Sequence, residues 1–230
     1  MNNKKITIGI LAGMGPRSTA PFIDMVIDEC QKQYGAKNDE DFPSMIICSL
    51  PTPFFVDQPI DHKKMKQVLI EGLKRLEATD VNFIAIPCNA VHRYFDDLQK
   101  NIKVPLLNMV DETIKRMSQT DSVVIVGTEN TIESEVYQKA LTGAGINYTL
   151  VPEQTKVNEL IKSVKTNTVQ TLLSHEWSRL VQTFKRLGAN KILLACTDLN
   201  VIVQTKDMEI IDATQILAEE VVKKYLKLNK

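Results

Sequence analysis

Val81-Asn82-Phe83-Ile84-Ala85-Ile86-Pro87-Cys88-Asn89, entered from Leu73-Lys74-Arg75-Leu76-Glu77, has a counterpart later in the chain. There Phe184-Lys185-Arg186-Leu187-Gly188 leads into Lys191-Ile192-Leu193-Leu194-Ala195-Cys196-Thr197. Each copy runs from a helical pattern through Lys-Arg-Leu into a short apolar run, and ends on a cysteine followed by a polar residue. Runs of this length, rich in branched side chains and without polar alternation, read as strands covered on both faces, which is the habit of parallel sheets. The openings of the two halves also agree. Ile6-Thr7-Ile8-Gly9-Ile10-Leu11 enters a glycine loop and a helix, and Val123-Val124-Ile125-Val126 enters Gly127-Thr128 and another helix. The repeat places Cys88 and Cys196, 108 residues apart, at equivalent points.

Working outward, further short apolar runs at 44–50 and 146–151 complete a set of six strands. The segments 19–34, 62–79, 132–143, 155–165 and 174–187 carry apolar residues at spacings of three and four, as surface helices do. Strands alternating with helices give the fold class α/β: two similar halves, each a mostly parallel sheet flanked by helices, related by pseudo-twofold symmetry with the site between them. The halves are expected at 1–115 and 116–205, the last helix, about 205–230, crossing back to the first. That tail is amphipathic and ends in Lys223-Lys224 and Lys227, which reads as a solvated helix face.

Composition excludes several classes of function. The 230 residues carry 28 Lys plus Arg against 28 Asp plus Glu, so the net charge is zero and no basic surface for nucleic acid is expected. No apolar run approaches the roughly 18 residues of a membrane span. The apolar stretch after Lys4-Lys5 runs into Gly13-Met14-Gly15-Pro16-Arg17 with no small-residue cleavage pattern, so it reads as a first strand and not a signal peptide. Cys30, Cys48, Cys88 and Cys196 are widely spaced, with no Cys-x-x-Cys and no histidine at zinc-ligand spacing. Free thiols and a cytoplasmic protein are expected. Gly13-x-Gly15 lacks the third glycine of a dinucleotide loop, position 18 being Ser18.

Chemistry follows from where the cysteines fall. In a parallel sheet, ligands sit beyond the carboxyl ends of the strands, and a thiol placed at a helix start there gains thiolate character from the helix dipole. Two such thiols in matching halves suit removal of a proton from one face of a stereocentre and its return to the other, which is racemisation without a cofactor. The anion formed on the way needs donors aimed at the substrate carboxylate, and Asn89, Thr128 and Thr197 are placed to supply them. Cys30, on a helix, and Cys48, in a strand, read as small core residues. His92, four residues after Cys88, reads as a capping or core residue, with a Cys–His pair as the competing reading.

These residues carry a resemblance. Gly9-Ile10-Leu11-Ala12-Gly13-Met14-Gly15-Pro16 with Ser18-Thr19, then Pro87-Cys88-Asn89-Ala90-Val91-His92, then Ala195-Cys196-Thr197-Asp198-Leu199 resemble the three signature segments of the aspartate/glutamate racemase family. The resemblance implies a cofactor-independent enzyme, commonly a homodimer, that holds an acidic amino acid between two cysteines. Cys88 and Cys196 would be the two bases. Asn89, Ala90, Thr128, Thr131, Thr197, Asp198, Gln58 and Lys165, with Met14 and Gly15 of the glycine loop, would line the substrate. No nucleic acid, membrane or metal is implied.

Three positions depart from the family pattern. Ala90 stands where a threonine is usual, removing one hydroxyl. Gln58, in Phe54-Phe55-Val56-Asp57-Gln58-Pro59, stands where an arginine grips the substrate's distal carboxylate, and a neutral amide cannot form that bidentate pair. The family's lysine has two candidates here, Lys162 and Lys165, with Arg17 a further cation near the glycine loop. Aspartate or glutamate racemisation is the leading expectation. Action on another amino acid or dicarboxylic acid by isomerisation or decarboxylation, and amino acid binding without catalysis, are the alternatives.

Overall fold

The computed structural model describes residues 6–54, 59–165, 170–201 and 207–229. The chain divides into two compact units, residues 1–108 with 217–230 and residues 109–216.

The first unit holds β1 (Thr7–Ala12), α1 (Thr19–Tyr34), β2 (Ser44–Ser49), α2 (His62–Glu77), β3 (Phe83–Ala85) and α3 (Phe95–Lys100). Its three strands are parallel in the order β2-β1-β3, with Gly9 opposite Ile46 on one side and Ile84 on the other. Leu106 adds a parallel bridge to Ile84, the trace of a fourth strand. α2 begins on Asp61, whose side chain accepts from the Lys64 amide at 3.0 Å, as an N-cap should. Its Met65, Leu69, Leu73 and Leu76 pack with Leu11, Ile84 and Ile86 in one continuous apolar cluster. Fully burying a leucine is worth about 1.5–3 kcal/mol, so this stripe holds α2 against the sheet. β3 is shorter than the apolar run 81–87 suggests. Asn82 replaces part of the ladder with its side chain, accepting from the Thr7 amide at 2.8 Å, and Pro87 has no N–H to give.

The second unit holds α4 (Met109–Ile114), β4 (Ser122–Gly127), α5 (Glu129–Glu133), α6 (Val136–Ala144), β5 (Asn147–Leu150), α7 (Gln154–Lys165), α8 (Gln170–Arg186), β6 (Lys191–Ala195) and β7 (Glu209–Asp212). All four strands are parallel, in the order β5-β4-β6-β7. In both units the first strand is central, the second lies on one side and the third on the other. The repeat read in the sequence is therefore a repeat of topology. Val157, Leu160 and Ile161 of α7 and Trp177, Leu180, Val181 and Phe184 of α8 cover Val124, Val126, Ile192 and Leu194 of the sheet.

Two elements differ from the periodicity. The segment 132–143 forms two helices, because Glu135 is left-handed (φ 57°) and side chains take up the carbonyls a continuous helix would use. The Ser134 hydroxyl donates to the Thr131 carbonyl at 2.6 Å, and Gln138 Nε2 to that of Ile132 at 2.7 Å. β7 is a seventh strand among the described residues, unseen in the sequence because only Ile210-Ile211 is apolar between the charged Glu209 and Asp212. It leads into α9 (Ala213–Leu228), whose Leu217, Ala218, Val221 and Val222 are fully buried. In the first unit Gln33 Nε2 of α1 donates to the Glu219 carbonyl of α9 at 3.1 Å, and the Lys224 ammonium lies 5.5 Å from the centre of the Phe83 ring. The tail is therefore a core helix with one wet face. No described helix is long and apolar enough to cross a membrane.

Candidate active site

The carboxyl ends of β1 and β3 carry the first set of candidate residues. Gly13 leaves β1 at φ +96°, and a Cβ there would lie 2.6 Å from the Leu50 nitrogen and 2.7 Å from its oxygen, so only glycine fits the turn. The loop is braced from both sides, by the Gly13 amide on Thr19 Oγ1 (3.2 Å) and the Ser18 hydroxyl on the Gly15 carbonyl (2.9 Å). Met14 and Gly15 are half-buried, and Pro16 opens a short 3₁₀ turn, 16–18, that runs into α1. The turn leaves Arg17 exposed.

Cys88 lies three residues beyond the end of β3 in a tight turn closed by its amide on the Ile86 carbonyl at 2.8 Å. It is half-buried, Asn89 is buried, and Ala90 starts a five-residue 3₁₀ helix, Ala90–Tyr94. His92 in that helix is 5% exposed, and its Nδ1 lies 2.9 Å from the Cys88 carbonyl oxygen. Burial pushes the His92 pKa below the usual imidazole value, against the opposing effect of hydrogen bonds to the main chain of Cys88 and Leu107. The ring also stacks on Phe95, with centroids 5.9 Å apart. The histidine thus reaches the Cys88 backbone, which fits a capping and core role better than a Cys–His pair.

In the second unit, Gly127 ends β4 beside Ala195, where a Cβ would meet the Ala195 oxygen at 2.9 Å. Thr128 then caps α5: its Oγ1 accepts from the Thr131 amide at 3.2 Å and lies 2.9 Å from Thr131 Oγ1. Thr128 is half-buried and Thr131 is 1% exposed, so Thr131 stands behind Thr128 and fixes its hydroxyl. Gln154 at the start of α7 donates to the Gly127 carbonyl at 2.9 Å. No sequence motif marks that contact. Cys196 directly follows β6 and is buried, as are Thr197 and Asp198. The Leu199 amide donates to the Cys196 carbonyl at 3.2 Å and opens the 3₁₀ turn Leu199–Val201.

Cys88 is therefore followed by a 3₁₀ helix that runs directly into α3, and Cys196 by the 3₁₀ turn Leu199–Val201, so the first turn after each cysteine is 3₁₀ and not α. Such a first turn offers its individual N–H groups to a substrate or thiolate. Lys162 is an exposed residue of α7. Gln58 and the side chain of Lys165 lie outside the described residues. Sequence reasoning misses Asp212, at the end of β7, and Asn200, in the turn after Cys196. The signal for Asp212 is an aspartate between two isoleucines and a helical pattern, an ordinary N-cap signature.

Two α/β units, each with a parallel sheet and a cysteine just past its third strand, define an α/β protein of the class that carries its chemistry beyond the carboxyl ends of parallel strands. The model for the Asp/Glu/hydantoin racemase family matches residues 11–221. The broad specificity amino-acid racemase RacX of Bacillus subtilis is 46% identical over 223 residues, covering 95% of this chain and 98% of that protein. Among solved structures, the aspartate racemase of Picrophilus torridus has a TM-score of 0.79 at 26% identity, covering 96% of this chain and 94% of that one. An aspartate racemase homologue from Pyrococcus horikoshii has a TM-score of 0.77 at 24% identity, covering 96% and 99%, a likeness of fold. The chain belongs to the Asp/Glu/hydantoin racemase family and is an amino acid racemase.

Proposed function

We propose that this enzyme racemises free amino acids by moving the Cα proton between two cysteines, and that its substrate range is wider than aspartate and glutamate. The observation that carries the reading is the matched placement of Cys88 and Cys196, each just beyond the third strand of a sheet in which the first strand is central. One thiolate takes the Cα proton and becomes a thiol. The electron pair left at Cα spreads into the carboxylate. The second thiol then delivers its proton to the opposite face and becomes the thiolate. Within the substrate only the Cα–H bond breaks and re-forms; one S–H bond forms at the first cysteine and one breaks at the second, so the enzyme ends poised for the reverse direction.

The remaining residues divide the work by chemistry. Asn89, Thr128 and Thr197, with the main chain at Met14, Gly15 and Ala90, bind the α-carboxylate where charge develops, the purpose of an oxyanion site. Thr131 positions Thr128 through their 2.9 Å contact. Asp198 receives the substrate ammonium. Breadth is supported by the relationship to RacX and by Gln58, whose neutral amide replaces the cation that would select a distal carboxylate. Lys165 is assigned to the substrate's outer end. The same reading includes a homodimer, checked by sedimentation, and a cytoplasmic setting suited to four free cysteines.

The test is proton NMR of the reduced enzyme in D₂O with single enantiomers of aspartate, glutamate, lysine, serine and leucine. Loss of the Cα proton signal, with chirality of the product then read by chromatography, is expected for neutral or basic amino acids as well as acidic ones. Exchange confined to aspartate and glutamate would overturn the broad range. No exchange with any amino acid would overturn the two-base reading and point to isomerase, decarboxylase or binding alternatives.

A further inference from the structure

We propose that Asn200 and Asp212 form a positioning pair for Cys196, Asp212 anchoring through Asn200 the turn that carries Cys196, Thr197 and Asp198. The inference rests on the reading of Cys196 as one of the two bases. Asp212 ends β7 opposite Leu194, two residues before Cys196 on the neighbouring strand. Its Oδ1 accepts three hydrogen bonds: from the Thr214 amide at 2.8 Å, the Gln215 amide at 3.2 Å and Asn200 Nδ2 at 3.2 Å. The two amides belong to the first turn of α9 and fix the carboxylate, so Asn200 meets a preset acceptor. Burial pushes the Asp212 carboxyl up, and the bonds from Gln215, Thr214 and Asn200 oppose that shift, as they do for a charged acceptor held in place.

An ordinary helix cap explains the amides and leaves Asn200 unexplained. The other unit supplies the reason for it. Asn200 is the fourth residue after Cys196, and the fourth residue after Cys88 is His92. His92 bonds the Cys88 carbonyl and the main chain of Leu107, the residue next to the bridge that marks the fourth strand of its sheet. Each unit therefore uses the side chain four places after its cysteine to tie the cysteine turn to the end of the fourth strand. The chemistry differs, imidazole to main chain in one and amide to carboxylate in the other. A thiol that must reach Cα at a fixed distance needs such a strut, since displacement of a catalytic group by about 1 Å can cost about a hundredfold in rate.

The experiment compares full-length wild type with Asn200→Ala, Asp212→Ala, Asp212→Asn and the double alanine variant. Alkylation of Cys88 and Cys196 by iodoacetamide is followed by peptide mass spectrometry, and racemisation kinetics are measured alongside. Asn200→Ala should speed alkylation of Cys196 by about tenfold with Cys88 unchanged, and lower kcat by about tenfold with KM within about twofold. Asp212→Asn, which keeps an acceptor oxygen, should restore most of what Asp212→Ala loses, and the double variant should be no worse than the worse single one. Wild-type behaviour of Asn200→Ala, which keeps the helix cap, would overturn the proposal. So would losses that multiply in the double variant. Failure of the racemase reading itself would appear separately, as a wild type that exchanges no amino acid.

Discussion

His92 Nδ1 sits 2.9 Å from the carbonyl oxygen of Cys88, so the histidine that follows the cysteine in sequence grips its backbone. A carbonyl oxygen can only accept, which makes Nδ1 the protonated nitrogen. His92→Leu keeps the bulk against Phe95 and removes that donor. The expected cost is about 1–2 kcal/mol of stability, with a fall in turnover because the Cys88 turn loosens. Urea unfolding with parallel kinetics checks it, and an unchanged turnover would show that the contact serves folding alone.

The same contact has a pH signature. Burial depresses the His92 pKa in the folded state below its unfolded value near 6.5, so the unfolded chain binds the extra proton first. The stability tied to neutral His92 is present above pH 6.5 and is lost as pH falls through the lower folded value. Unfolding curves at several pH values between 7.5 and 5 should show a steeper loss for wild type than for His92→Gln. Parallel curves would mean that another group governs the acid limb.

Alanine at position 88 or 196 should each abolish racemisation, by about 10²- to 10⁴-fold, the usual worth of one acid–base group. The two variants should differ in a second assay. Each keeps one base and should still exchange the Cα proton of one enantiomer in D₂O, with opposite preference in the two variants. Identical behaviour toward both enantiomers would contradict the division of the two faces between the thiols.

Gly13→Ala should destabilise the first unit by about 1–3 kcal/mol from backbone strain alone, because φ is +96° and the new Cβ would sit 2.6 Å from a main-chain nitrogen. The two nearest atoms it meets belong to Leu50, whose amide bonds the Ala12 carbonyl at 2.9 Å. Relief of the clash therefore separates β1 from the chain after β2. Calorimetry should report a lower melting temperature, and a Tm equal to that of wild type would show that the loop can re-form around a side chain.

Lys191 bonds both Asp121 (3.3 Å) and Glu209 (3.2 Å) at the amino-terminal ends of β4, β6 and β7. Burial raises the Asp121 carboxyl, but bonds from Ser118 and Lys191 outweigh it and hold the group below the usual carboxylate value. Its contribution is present above the unfolded pKa near 3.8 and lost as pH falls through the lower folded value. Lys191→Met should therefore weaken the second unit at pH 7 and bring the wild type and variant closer together as pH falls past the lowered Asp121 value. A constant difference across that range would remove Asp121 from the account.

Periodicity and composition made the α/β class, the repeat and most element boundaries legible, because a strand covered on both faces and an amphipathic helix each leave a local pattern. Lys191–Ala195 ends where the apolar run ends. The break between α5 and α6 was not legible. It depends on Ser134 and Gln138 capturing carbonyls that a helical pattern assigns to the backbone. Nor was β7, whose four residues form a strand only because β6 offers an edge to pair with.

For the candidate site, the groups able to react were legible from residue type and spacing. Cys88, Cys196 and their polar followers are set by residue type and spacing, and chemistry of that kind is a property of the side chain. How those groups are held is a matter of the packed fold. The roles of His92, Thr131, Gln154, Asn200 and Asp212 depend on hydrogen bonds to partners that the fold brings within reach. Thr128 and Thr131 illustrate the divide: both are threonines near a strand end, and only the fold leaves Thr128 half-buried while Thr131 is buried behind it, bonded to its hydroxyl. Residue type is local information, whereas a hydrogen bond of about 3 Å requires two groups whose backbone positions are fixed by the packed core.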